Sequence, residues 1–481
     1  MSALEMMLAL AAGAADTPPA DWRAATQADL VAFHDDVVAN HPGPVNRADP
    51  GFAARERKAF ALAQSRAAQV RDYPGYLATM RGYVASFDDG HLALGGMKSF
   101  PVALAWPGFL TGYDGAGRQV VRARIEGAGV EMGDVLLGCD GQDADALAQA
   151  RVGAFTGRWQ LAATRGRQGF RVFVDNRNPF VTRPVRCRFQ GPGGTREVAL
   201  AWRDFSDAEY DRYAMPLAAP PRPPIAARTL ADGTRWFTLS DFEGDPAGDA
   251  AKALVPIIAA MKRDRAAIVA SPRIVLDLRG NGGGSSDWSR QIATILWGEP
   301  AIQALKLGSD NVEWRASKAN VASLADYRDT FAKAPDADPA IKRFFADAAA
   351  GIAAAYAKGK ALWREPDGLY VAAKPAPGAS VVPPRAPVYV VTDWGCASAC
   401  LDAVDLWKAL GAVQVGQETS ADTLYMDVRQ DPLPSGVSRA VVPMKVYRGR
   451  PRGSNVPQQP AHRYTGDLRD TAALERWVAG L

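Results

Sequence analysis

Two short runs constrain this chain more than anything else in it: RIVLDL (273–278) and APVYVVTD (386–393). Both are almost continuously apolar, as strands are when helices cover both faces of a parallel sheet. Both end on small residues, the first in RGNGGGSSDW (279–288) and the second in WGCASAC (394–400). Around them, strand and helix periods alternate. TRWFTLSDF and AVQVG predict strands, DAAKALVPIIAAMKRD an amphipathic helix, and CLDAVDLWKALG a helix with Leu401, Val404 and Trp407 at core spacing. The pattern predicts a mixed α/β unit over 229–481. An Ala-rich stretch at about 309–362 reads as a helical insertion with little strand character.

The full 481 residues exceed one ordinary core, and the remaining sequence divides accordingly. Residues 21–95 show three helical periods. The first places Leu30, Phe33, Val37 and Val38 on one face and stops at Pro42, and the last runs into FDDGHLALGG. This is a helical cap. Residues 96–205 are β-like. Within them AGVEMGDVLLGCDGQDADALAQA (127–149) gives a loop, a buried strand, a Gly turn and a short helix, and resembles a PDZ module. That module carries an insertion at 151–182. Its resemblance implies capture of an extended polypeptide or its C-terminus by strand addition. The Pro-rich LAAPPRPPIAAR (217–228) reads as a linker.

Composition narrows the function classes. Hydrophobic residues at 48%, charged residues at 22% and a net charge of only +4 describe a globular chain with scattered basic residues. A nucleic-acid role gains no support from that distribution. No apolar run reaches the length of a membrane span. The start, MSALEMMLALAAGAAD, reads over residues 1–16 as a truncated signal peptide, placing the protein in the periplasm or outside the cell. Four cysteines in so long a chain do not suggest a disulfide framework, and no histidine accompanies them at zinc spacing. If Cys396 and Cys400 both lay on one helix, their side chains would stack along a face without converging.

Three motifs are candidates for chemistry. LDLRGNGGGSSDW (276–288) places glycines at the end of a strand, where backbone N–H groups can approach a ligand closely. It lacks the lysine of a P-loop, and Ser285 stands where a dinucleotide fingerprint needs its third glycine. WGCASAC puts Ser398 between a strand and a helix, with the Ala399 N–H at the helix N-terminus, where an oxyanion is favoured. Cys400 is a second candidate nucleophile, but Ser398 sits at the turn itself. The third motif is SFDDGHLALGG (86–96), whose His91 is one of four histidines and could take a proton from a serine hydroxyl.

Together, RIVLDLRGNGGG and the strand–CASAC–helix–strand–GQET order resemble the tail-specific (C-terminal-processing) serine peptidase family. The likeness runs over about residues 30–480. It implies a crotonase-like catalytic domain with Ser398 as nucleophile. The amides of Ala399 and of Gly283 or Gly284 would then form the oxyanion hole. The family's Ser–Lys members carry a lysine in the next turn; here TSADT (419–423) has Asp422 instead. DDGHL instead resembles the D-G-H-[ST] turn of the tricorn-like branch, which implies His91 as the base. That branch supports its histidine with a C-terminal glutamate through a serine, but the corresponding RGSNVPQQPAH has no glutamate. Asp88, Asp89 and Asp422 are the candidates for that supporting role. The resemblance implies a serine endopeptidase with a polypeptide substrate and no metal or organic cofactor. A decayed, peptide-binding relative and a hydrolase of esters or small amides are the alternatives.

Overall fold

The computed structural model describes residues 17–245, 247–305, 311–334, 339–366, 381–450 and 452–481. The run at 1–16 and parts of 309–362 therefore lie outside the described residues. The architecture is mixed α/β. Its centre is a six-stranded sheet in the order 226–229, 235–238, 274–277, 388–392, 413–416 and 462–463. The first pair is antiparallel and every later pair is parallel. Ile274–Asp277 and Val388–Thr392 are buried along their whole lengths, as their apolar runs require.

The two-residue period of the strands sorts their side chains between two cores. Phe237, Leu276 and Val390 face a core built with the helices Asp249–Arg263, Asp287–Trp297 and Ala399–Ala409. Trp236, Val275, Tyr389 and Val391 face the opposite core, which the C-terminal helix Thr471–Ala479 closes through Leu474 and Val478.

A second, five-stranded sheet is assembled from distant segments. Its long strand Ser438–Arg448 pairs on one side with Ala93–Gly96, the strand that directly follows His91. Farther along the same edge it pairs with Asn311–Arg315, and Tyr425–Pro432 forms a hairpin along its opposite edge. The N-terminal helices Trp22–Asn40, Phe52–Ala67 and Tyr73–Ala85 pack onto one face through Phe33, Val37, Phe52 and Tyr83 against Ala440, Val442 and Val446.

The other face takes the two helices of the Ala-rich stretch, Lys318–Lys333 and Pro339–Ala357, around Trp314, Ile352 and Met444. The expectation of little strand character there needs correction. Asn311–Arg315 and Leu362–Arg364 pair with each other and join this sheet. Alternate burial along Asn-Val-Glu-Trp-Arg is a period-two signal that the surrounding alanines obscure.

A third sheet, wholly antiparallel, spans 109–199. It holds a disulfide that the cysteine count argued against. Cys139 and Cys187 stand opposite each other on paired strands, and their sulfurs are bonded. Strand register, not sequence spacing, brings them together across 48 residues. Among the described residues no helix is long and apolar enough to cross a membrane. Replacing both Cys139 and Cys187 by alanine should lower stability by about 2–4 kcal/mol, the usual contribution of a bond that closes a loop of this order. The check is a lower urea midpoint at unchanged slope.

Candidate active site

Two strand ends are locked side by side by one buried carboxylate. Asp393, at the end of Val388–Thr392, accepts the Gly280 N–H at 3.1 Å and the Gly395 N–H at 2.9 Å. The glycine loop after Ile274–Asp277 is thereby fixed to the turn that leads to Ser398. The Ala397 N–H adds a bond to the Asn281 carbonyl at 3.2 Å. Burial pushes the Asp393 carboxyl up to about 7, although the two glycine N–H groups pull the other way.

The turn itself is tight. Ser398 has φ 55 and ψ −125, a left-handed conformation unusual for a residue with a side chain, and it precedes the helix Ala399–Ala409. It is exposed, whereas Cys396, Ala399 and Cys400 around it are buried. Gly283, at φ 100, lies against this turn so closely that a Cβ there would stand 2.7 Å from Ser398 Cβ and 2.9 Å from the Ala399 nitrogen. Only glycine fits. The Gly283 N–H donates to Asn281 Oδ1 at 2.9 Å, and Asn281 Nδ2 in turn donates to the Leu239 carbonyl at 2.6 Å.

Cys396 and Cys400 form a second disulfide that brackets Ser398, with Cα atoms 5.3 Å apart. The expectation that these side chains would not converge fails for a physical reason. The helix begins at Ala399, so Cys396 lies before the left-handed residue rather than on the helical face. The chain reversal at Ser398 brings the sulfurs together.

His91 sits in a turn built around a second buried carboxylate. Asp89 Oδ1 accepts the His91 backbone N–H at 2.9 Å and the Thr423 hydroxyl at 3.0 Å. Asp89 Oδ2 lies 3.0 Å from His41 Nε2. The buried His41 accepts the Gly43 N–H at its Nδ1, at 2.8 Å, so its proton is on Nε2 and points at Asp89. Burial would raise the Asp89 carboxyl, but the His41 hydrogen bond, together with the His91 N–H, outweighs it. Asp89 is held below the ordinary carboxylate range and stays ionised.

That charge state sets the direction of the remaining bonds. An ionised Asp89 can only accept, so the Thr423 proton goes to it. Thr423 Oγ1 lies 3.0 Å from His91 Nδ1 and therefore accepts from it. The His91 proton is on Nδ1, and its Nε2 lone pair is open.

The TSADT turn joins the two halves. At one end the Ser420 N–H donates to the Cys396 carbonyl at 2.9 Å; at the other, Thr423 holds His91. Asp422, in the place of the missing lysine, instead pairs with Arg452 at 3.1 Å. Arg452 also binds Asp402 and Asp405 on the helix behind Ser398, at 3.0 and 2.5 Å. Arg158 completes the frame: its N–H donates to Asp88 at 2.5 Å and its Nε to Asn455 at 2.6 Å, and its guanidinium also reaches the Ala421 carbonyl.

Mature CPAF complexed with lactacystin matches this chain with a TM-score of 0.60 at 14% identity, over 95% of this chain and 98% of that one. Mature CPAF by itself gives 0.58 at 15% identity, over 94% and 95%. The chain has the CPAF fold. No family model and no curated protein matches its sequence.

Within the CPAF fold the structure gathers the glycine loop, the Ser398 turn and, through TSADT, the His91 turn. Of the three aspartates weighed as support for the histidine, it places Asp89 at the imidazole, with Thr423 between them. Asp88 and Asp422 are engaged with the frame. Thr423, His41, Arg158 and Arg452 were missed in the sequence. The one available signal was the hydroxyl of Thr423 in the turn where Asp422 stands in place of the lysine that the resemblance led one to expect.

The Asp393 carboxyl has a pH signature. Unfolded, it titrates near its ordinary 3.8; folded, near about 7. Between those values the native state holds the extra proton. This group's contribution to stability is therefore greatest at low pH and is lost as the pH rises to about 7. Asp393→Asn keeps a neutral acceptor there, so its stability relative to wild type should rise by a few kcal/mol between pH 4 and 7. Urea unfolding at a series of pH values measures the difference; a pH-independent gap would contradict the assignment.

Proposed function

We propose that the protein is a serine endopeptidase in which Ser398 is the nucleophile and His91 the general base. The observation that carries the reading is the Asp89–Thr423–His91 chain, which leaves the His91 Nε2 lone pair open in a turn tied to that of Ser398. It has the logic of a histidine oriented by a carboxylate, with a threonine hydroxyl inserted. Its complete hydrogen bonding argues against a decayed site.

In this reading Ser398 Oγ attacks the substrate carbonyl carbon while His91 Nε2 takes its proton. The oxyanion receives N–H bonds from Ala399 and Gly284, since the Gly283 N–H already serves Asn281. His91 then protonates the leaving amine, and water, deprotonated in turn by His91, releases the acyl group from Ser398. Asp89 and His41 are positioning residues: the first keeps the His91 proton on Nδ1, and the second keeps Asp89 charged.

The finer architecture belongs to the same proposal. The 21–95 helices form a cap. The antiparallel sheet with its 151–182 insertion forms a PDZ-like module that would take an extended polypeptide or its C-terminus. The 229–481 unit forms a crotonase-like catalytic domain after the 217–228 linker. Two disulfides fit an oxidising compartment, periplasmic or extracellular.

A fluorophosphonate probe tests the nucleophile. It should label the wild type and fail on Ser398→Ala, and His91→Ala should slow labelling at least a hundredfold. No labelling of folded wild type would overturn the proposal. Thr423→Val removes the relay hydroxyl at similar volume. It should lower kcat on a casein-derived peptide by about tenfold to a hundredfold with little change in KM, as expected for a group acting through the transition state.

A further inference from the structure

A cleft of about 630 Å³ opens beside the His91 turn, between the helix Tyr73–Ala85, the residues Asp89–Leu94 and the segment 151–178. Its charge is one-sided. Arg81, Arg151, Arg158, Arg167 and Arg171 line it, and Asp89 is its one carboxylate. Asp89 is already engaged by His41, Thr423 and the His91 N–H. Arg151 reaches the backbone carbonyls of Val172 and Thr182, which satisfy its N–H groups without neutralising its charge.

Among the described residues no carboxylate forms an ion pair with Arg81, Arg167 or Arg171. Arg171 Nε is buried without an acceptor. Burial lowers the Arg81 pKa, and the nearby Arg171 charge lowers it further, so these two cations stand close enough to repel. Arg167 lies over the Trp394 ring, 5.9 Å from its centroid, and Trp394 is four residues before Ser398. The basic wall therefore runs from the cap helix to the turn that carries the proposed nucleophile. Like charges held together in a part-enclosed space are unfavourable alone and are relieved by an anion that brings several acceptor oxygens.

We propose that this cleft binds acidic side chains of the polypeptide substrate, so that the protein selects sequences rich in Glu or Asp on the His91 side of the scissile bond. The proposal rests on the peptidase reading for the identity of the ligand as a polypeptide. Arg81 and Arg171 are the specificity-determining pair, and Arg167 extends the site toward Ser398.

The test measures binding without turnover, on Ser398→Ala protein, by fluorescence anisotropy. Three labelled peptides are compared: an end-blocked peptide with three consecutive Glu, its Gln counterpart, and the Gln peptide with a free C-terminal carboxylate. The Glu peptide is expected to bind at least tenfold more tightly than the end-blocked Gln peptide, and to lose that advantage in high salt. Adding Arg81→Gln or Arg171→Gln should remove most of the preference. Among the described residues Arg81 forms no ion pair that its substitution would break, so the thermal midpoint should stay in place. Equal binding of the Glu and Gln peptides would overturn the inference, as would tight binding only by the free C-terminus or a preference unchanged in both arginine variants. Probe labelling of Ser398 stands or falls separately. Labelling without acidic preference sinks the cleft assignment alone, and acidic preference without labelling sinks the catalytic reading alone.

Discussion

The buried carboxylate of Asp89 is the interaction on which the arrangement turns. It gathers groups from three distant parts of the chain: His41 at the end of the first helix, the His91 backbone, and Thr423 from the far C-terminal region. A buried charge is tolerated only when its lone pairs are satisfied, so each of these contacts is needed by the others. Because Asp89 is ionised, the hydroxyl must donate to it, and because the hydroxyl donates, the imidazole must donate to the hydroxyl. The tautomer of His91 is thus a consequence of burial some distance from the ring.

A second buried carboxylate, Asp393, does comparable work on the other half. It ties the glycine loop to the Ser398 turn through two backbone N–H groups. Gly283 fills the remaining space, and the disulfide between Cys396 and Cys400 closes a covalent ring around the left-handed serine. Exposure at Ser398 and burial on either side follow from that construction. The two halves meet through TSADT, with Arg452 and Arg158 fixing that turn to the helix behind Ser398 and to the His91 turn.

Much of this was legible in advance. The apolar runs at 273–278 and 386–393 marked the buried parallel strands, because a strand covered on both faces has no polar face to show. The glycines and small residues after them marked the close approach of two loops. The hidden parts were those where local pattern and tertiary partner disagree. Asn311–Arg315 was masked by the alanines around it, and its pairing with Ser438–Arg448 depends on a strand more than a hundred residues away. The Cys396–Cys400 bond was misjudged because its geometry depends on where the helix starts, and one left-handed residue moved that start to Ala399.

The sequence by itself determined the mixed α/β class, the two strand-end loops, and Ser398 and His91 as the residues worth testing, because these follow from hydrophobic period and short-range spacing. Only the tertiary structure decided that Asp89 reaches the His91 imidazole through the Thr423 hydroxyl and that the Gly283 N–H is taken by Asn281. It also decided that Arg81 of the helix Tyr73–Ala85 and four arginines between 151 and 171 line one cleft. Hydrogen-bond direction and charge compensation depend on distances between segments, and no spacing along the chain encodes them.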